Sequence, residues 1–178
     1  LKIRGKIIRL GDNINTDVII PARYLVTHEA ATLAKHAFED YCPEFRVKAA
    51  GGAVIIAGEN FGLGSSREHA VIALKHSGVK AIVAKSLARI FYRNSINLGL
   101  PALILRGKKE EADRIEDGDE VELDVANGVL TRIKTGEKFS CDKMPEFMMK
   151  IIEAGGLINY FARKVEKNQW KARPDNYL

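Results

Sequence analysis

Two adjacent hydroxyls and a guanidinium follow a run of glycines in Gly58-Glu59-Asn60-Phe61-Gly62-Leu63-Gly64-Ser65-Ser66-Arg67-Glu68-His69-Ala70. In a glycine-rich turn between a strand and a helix, backbone N–H groups can point at one spot. Ser65, Ser66 and Arg67 stand where such groups would converge. That combination suits a carboxylate or phosphate ligand, and it could also hold a serine as an alkoxide. A plainer reading exists. Ser65 and Glu68 have capping-box spacing, with Ser65 as N-cap. Yet Gly58, Gly62 and Gly64 cost backbone entropy, and a simple cap does not need them. The turn is not a nucleotide-binding loop of the Walker type, because no Lys follows the last Gly. Its glycines do not fit G-x-G-x-x-G, and Arg67 occupies the place where a nucleophile elbow needs Gly.

The elements that must position this turn are legible on both sides of it. Ala53–Ala57 is an apolar run of strand length, and Ala70–His76 reads as a helix that starts at Ser66 and ends near Gly78. Lys80–Ala84 is a second such run, followed by a helix over 86–94, and Ala102–Leu105 is a third. Strands alternating with helices predict βαβ units, a mostly parallel sheet and right-handed crossovers. Upstream, Lys6–Leu10 reads as a strand and Gly11–Thr27 as an irregular, exposed loop. A helix is predicted over 28–41, with Thr27 as N-cap and Leu33, Ala34, Ala37, Phe38 and Tyr41 on one face. Downstream, Glu120–Val125 and Val129–Lys134 alternate with period two around Asn127-Gly128, which predicts an added antiparallel hairpin with a type I′ turn. Pro145 opens a further helix, Glu146 to Ala154, closed by Gly155-Gly156. The fold class is therefore α/β, with flanking helices. Residues 1–162 form the domain and 163–178 a polar, basic C-terminal tail, in which Trp170 and Tyr177 could anchor on a partner.

The chain has 178 residues and is 46% hydrophobic, enough for one domain with a real core. No apolar run approaches the roughly 18 residues of a membrane span, and Leu1–Gly5 starts straight into a strand-like pattern without a leader. A cytoplasmic location is the expectation. The net charge of +5 fits a solvated surface or an acidic substrate. Nucleic-acid binding would want a basic stripe with interleaved aromatics. Only Arg163–Arg173 approaches one, and runs of this kind are usually solvated faces. Cys42 and Cys141 stand far apart and form no C-x-x-C, so no disulfide is expected.

Three stretches together resemble one family. Asn60-Phe61-Gly62-Leu63-Gly64-Ser65-Ser66-Arg67-Glu68-His69-Ala70 is similar to the signature of the aconitase superfamily's mobile swivel domain. Ser86–Pro101 resembles the segment that follows it there. Gly11-Asp12-Asn13-Ile14-Asn15-Thr16-Asp17-Val18-Ile19-Ile20-Pro21-Ala22-Arg23-Tyr24-Leu25 resembles the N-terminal signature of the free-standing small subunits, those of 3-isopropylmalate dehydratase and its relatives. The motifs occur in the family's order and cover most of residues 5–101.

What the resemblance implies is specific. It makes Ser65 the catalytic base, an alkoxide that removes a proton from carbon beside a carboxylate. A nest of N–H donors, the positive helix end and Arg67 would stabilise it. Ser66 and Arg67 would bind a substrate carboxylate, with Gly64 in the same pocket, and the arginine's fork suits that task. Asp17 matches an acidic position near the base; it is equally readable as a turn-former. For Glu68 and His69 the reading is cap and helix packing, and for Arg89 and Arg93 packing and salt bridges. The loop Leu25, Val26 and Thr27 would contact the group that varies between substrates. Relatives handling tricarboxylates carry Arg where Val26 stands. An apolar Val cannot pair a third carboxylate, which would be costly to bury unpaired, but it accepts an isopropyl group. Thr27 resembles the homoaconitase form, so the loop reads as mixed. Leu63 stands where the family often has Cys.

An aconitase-type iron–sulfur cluster is held by three cysteines, and this chain has two. The resemblance therefore implies no cofactor in this chain and a [4Fe–4S] cluster in a partner large subunit. It implies one half of a hydro-lyase that isomerises an isopropylmalate by dehydration and rehydration, with the small dicarboxylate bound between the subunits and a higher oligomer left open. Homoaconitase and citramalate or dimethylmalate dehydratase are the rivals within the class. A non-catalytic anion- or RNA-binding module is the rival outside it.

Overall fold

The structure, a computed structural model, describes residues 1–107 and 112–166. Its centre is a sheet of seven strands: β1 (Lys2–Arg9), β2 (Ala53–Ala57), β3 (Val79–Ala84), β4 (Ala102–Ile104), β5 (Glu120–Asp124), β6 (Val129–Arg132) and β7 (Lys138–Ser140), in the order β4-β3-β2-β1-β5-β6-β7. β1 to β4 are mutually parallel, as the βαβ pattern predicts. β5 then pairs antiparallel with β1, and the hairpin β5–β6 and the short β7 extend the same sheet. The sequence composition follows this division. All five residues of β2 are buried, as a strand covered on both faces requires, whereas β5 alternates.

Helices cover both faces. On one lie α1 (Thr16–Ile19), α2 (Ala30–Lys35), α3 (Phe45–Ala49) and α4 (His69–Ser77), packed over Ile8, Ile55 and Ile82. On the other, α6 (Glu146–Glu153) and α7 (Leu157–Glu166) contribute to a second core with Ile7, Val54, Ile56 and Val83. α5 (Arg89–Asn97) sends Phe91 into the first core and Ile96 into the second.

Several expectations from sequence need correction. The segment Gly11–Thr27 is not simply exposed loop: it contains α1 and a 3₁₀ turn, Ala22–Tyr24, and it buries Ile14, Thr16, Ile19, Ile20 and Pro21. The helix predicted over 28–41 stops at Lys35, because Phe38 adopts a left-handed φ of 55° and is fully buried. Such a conformation costs roughly 1–3 kcal/mol, and burying the ring offsets it. Tyr41 is left exposed. Thr27 is not the N-cap; its Oγ1 accepts a hydrogen bond from the Glu29 N–H at 3.1 Å. The hairpin turn is not type I′. Asp124 pairs with Val129 across four residues, and only Gly128 has positive φ, at 65°. Asn127 is held by the Asp124 carboxylate through both its backbone and its side chain. α7 runs on to Glu166, past the expected division at 162. Trp170 and Tyr177 lie outside the described residues. No helix among those described is long and apolar enough to cross a membrane.

Candidate active site

β1 and β2 run side by side, so the segments leaving their C-terminal ends lie together. The first turns into α1, whose N-cap Asn15 accepts from the Val18 N–H at 2.8 Å. The second is the glycine-rich turn. Main-chain donors stitch one to the other, among them Asn13 N–H to the Glu59 carbonyl at 2.7 Å and Gly58 N–H to the Gly11 carbonyl at 3.1 Å. Gly62 N–H donates to the Ile14 carbonyl at 2.7 Å, Thr16 N–H to the Leu63 carbonyl at 2.9 Å, and Ser65 N–H to Thr16 Oγ1 at 3.1 Å. The glycines make this approach possible. A Cβ on Gly62, at φ 78°, would fall 2.2 Å from the Phe91 ring, and one on Gly64, at φ 105°, 3.2 Å from Thr16 Oγ1.

The consequence is a pair of hydroxyls. Ser65 Oγ lies 3.0 Å from Thr16 Oγ1, and Thr16 is only 2% exposed. Thr16 Oγ1 already accepts the Ser65 N–H, which leaves its own proton free to be donated to Ser65 Oγ. If Ser65 loses its proton, Thr16 is the one member of the pair that can donate. Sequence reasoning passed over Thr16. The available signal was a hydroxyl between Asn15 and Asp17 in a motif already singled out for its acid.

The capping box does not form. α4 begins at His69, four residues after Ser65, and its N-cap is Glu68, with no side-chain capping bond. Ser65 has both its N–H and its hydroxyl engaged with Thr16, and this holds it away from the helix start. Ser65 is therefore not the cap of α4, and its side-chain partner is the Thr16 hydroxyl.

The other expected site residues fall into two groups. Gly64, Ser65, Asp17 and Arg67 come together. Arg67 Nη1 is 3.9 Å from Asp17 Oδ1, a long contact between side chains that are 48% and 64% exposed. A pair of that kind is weak, so the guanidinium stays open to a stronger carboxylate. Ser66 is exposed, and Asn94 fixes its backbone by donating Nδ2 to the Ser66 carbonyl at 2.9 Å. The loop Leu25–Thr27 forms the second group. Leu25 packs on the core, Thr27 is half-buried, and Val26 is 91% exposed. It reaches the first group through His28, whose ring lies 4.4 Å from that of His69. Arg89 and Arg93 are exposed, and neither makes an ion pair among the described residues, contrary to the packing and salt bridges expected of them.

A cleft of about 740 Å³ lies elsewhere along the same sheet edge and contains none of these residues. Its cations are committed: Arg9 to Asp113 and two carbonyls, Arg106 to Asp142, and Lys85 to the Gly107 carbonyl. The serine instead sits on an open surface, where polar groups that could bind an anion are still available. Both cysteines are free thiols, and burial pushes Cys141 up to about 12.

A doubly covered sheet with a hydroxyl-backed serine at the ends of its parallel strands defines a swivel-type α/β domain. The chain belongs to the Aconitase C-terminal domain family, which matches residues 3–108. It is 53% identical over 163 residues to the 3-isopropylmalate dehydratase small subunit of Caldanaerobacter subterraneus subsp. tengcongensis, covering 92% of this chain and 99% of that one. It is 51% identical over 160 residues to the 2,3-dimethylmalate dehydratase small subunit of Eubacterium barkeri, covering 90% and 96%. A crystal structure of 3-isopropylmalate dehydratase from Methanocaldococcus jannaschii superposes with a TM-score of 0.85 at 42% identity, over 95% of this chain and 99% of that one. The α/β swivel fold expected from the three motifs is thereby established.

Proposed function

We propose that this chain is the base-bearing small subunit of a hydro-lyase that interconverts 2- and 3-isopropylmalate with a separate large subunit. The observation that carries the proposal is the Thr16–Ser65 hydroxyl pair at 3.0 Å on an open surface beside Arg67. An unassisted serine is too weak an acid to serve as a base. A donor already in place when the charge develops lowers that barrier without reorganisation. Ser65 Oγ removes the proton from the carbon beside a carboxylate, and the Thr16 hydroxyl holds the proton that stabilises the alkoxide. Arg67 and the Ser66 hydroxyl grip the carboxylate, and Asp17 gives weak electrostatic support beside the guanidinium. The C–H electron pair becomes the new double bond as hydroxide leaves the adjacent carbon. Water then adds with opposite regiochemistry, and Ser65 returns its proton.

Departure of the hydroxyl falls to the large subunit. A three-thiolate iron–sulfur cluster does not fit this chain, whose two cysteines, Cys42 and Cys141, are separate. Among the described residues no group of three His, Cys, Asp or Glu side chains comes together to hold a metal. The [4Fe–4S] cluster belongs to the partner in this reading. The 2,3-dimethylmalate relative supports a second substrate within the same reaction class, since an exposed apolar Val26 accepts a smaller alkyl group as well.

The test is reconstitution with a cluster-bearing large subunit and turnover against isopropylmalate, dimethylmalate, citramalate and homoaconitate. The isolated chain should bind no iron and turn over none of them. The complex should turn over isopropylmalate with the highest kcat/KM. Activity and iron–sulfur absorbance in the chain alone would defeat the two-subunit reading.

A further inference from the structure

Packing alone does not account for His69. It is the first residue of α4 and only 8% exposed, yet neither ring nitrogen makes a hydrogen bond. The Thr27 carbonyl lies near enough to favour a charged ring, but without hydrogen-bond geometry. Buried polar atoms left unpaired are costly, and an apolar side chain would fill the helix start without that penalty. What the ring does touch is His28, at 4.4 Å between centroids and a tilt of 38°. His28 is exposed, so burial of its own surface does not explain the contact.

We infer that His69 is a positioning residue which, through its ring contact with His28, couples the substrate-selecting loop Leu25–Thr27 to the turn that carries Ser65. This rests on the functional reading above, in which that loop meets the variable group of the substrate. The geometry supplies both ends of a short span. On the N-terminal side, Tyr24 stacks on His36 at 3.8 Å with the rings 9° from parallel, and its hydroxyl donates to the Glu39 carboxylate at 2.9 Å. Arg23 beside it grips Asp40 with two nitrogens at 2.7 Å. On the C-terminal side, the loop meets the start of α4 through the His28–His69 ring contact, with the Thr27 carbonyl beside the same ring. Val26 stands between the two ends, 91% exposed. Burial first, then the charges of His28 and Arg67, keep His69 below the ordinary histidine range. The carboxylate of Glu68 acts in the opposite sense.

The experiment compares His28→Ala, His69→Ala, His69→Phe and the double alanine variant. It uses the reconstituted complex, with 3-isopropylmalate and 2,3-dimethylmalate as the probes. His28→Ala and His69→Ala should each raise KM for isopropylmalate roughly threefold to tenfold, with kcat within about twofold, and change the preference between the two diacids. His69→Phe keeps a ring against His28 and should stay close to wild type. The double variant should be no worse than His69→Ala, because both remove one contact. Amide exchange at Leu25 and Thr27 in the full chain is read in parallel, and His69→Ala should accelerate it. Unchanged exchange and unchanged diacid preference in the alanine variants would overturn the inference, as would additive losses in the double variant. Absence of turnover by the wild-type complex, with exchange accelerated by His69→Ala, would defeat the functional reading and leave the coupling standing.

Discussion

The turn that carries Ser65 and the loop Leu25–Thr27 are held by different kinds of contact. The turn is fastened through its main chain on two sides: to the α1 segment at Gly11, Asn13, Ile14 and Thr16, and to the segment after β3, where Phe61 N–H donates to the Ser86 carbonyl and Ala88 N–H to the Phe61 carbonyl. Among the described residues the loop has only local main-chain bonds, Leu25 N–H to the Ala22 carbonyl and Thr27 N–H to the Tyr24 carbonyl. Its longer reach comes from the side chains of Tyr24 and His28. Main-chain fastening is indifferent to most substitutions, whereas side-chain fastening can be retuned one residue at a time. In the proposed function the common chemistry rests on the first arrangement and substrate choice on the second.

The comparison breaks most sharply at the serine. Ser65→Ala should lower kcat by about 10²–10⁴-fold, with KM nearly unchanged and with little loss of thermal stability, because Ser65 caps no helix. A near-normal kcat would place the base elsewhere. Thr16→Val is the next largest test. It preserves shape at a position 2% exposed and removes one donor to the developing charge, so kcat should fall about 10²-fold, while Thr16→Ser restores most of it. Equal activity in the two variants would show that the hydroxyl pair is merely structural.

Changes in the loop should act on preference. Val26→Arg should move the ratio of kcat/KM between isopropylmalate and homoaconitate by about 1–3 kcal/mol toward the tricarboxylate. A ratio that does not move would remove the loop from substrate selection. The smallest effect concerns pH. His69 is held below its ordinary 6.5 by burial and nearby positive charge, so below that value the unfolded chain binds more protons than the folded one. The stability it contributes is complete above about pH 6.5 and declines as pH falls through 6.5 toward the folded value. Urea unfolding between pH 7.5 and 5 should show a shallower decline in His69→Phe; parallel curves would count against it. Carboxylate pairs titrate lower, with Glu39 drawn down to about 2 by His36, Arg23 and Tyr24.

The parallel strands were readable because strands covered on both faces become unbroken apolar runs, as in Ala53–Ala57. β7 was not, since Lys138-Phe139-Ser140 offers one alternation and takes its order from pairing with β6. The helix over 28–41 was misread at Phe38, where tertiary burial overrides helical periodicity. At the site, Ser65 and Arg67 were legible from type and spacing. The Thr16 partnership was not, because it joins residues 49 positions apart through the register of β1 against β2. Ser65 also satisfied a capping pattern that it does not use, and nothing local distinguishes a serine committed to its own helix from one captured by a distant hydroxyl.

The placement of β1 has a consequence for synthesis on the ribosome. β1, made well before β5, is an interior strand of the sheet, with Ile3 opposite Leu123 and Gly5 opposite Val121. While residues 1–104 emerge, β1 can find β2 on one side, but its other edge has no partner until β5 is made. An unpaired edge is a template for joining with other chains. Growing chains therefore carry an exposed hydrogen-bonding edge until the fifth strand arrives, and chains cut short before residue 120 are the ones expected to aggregate.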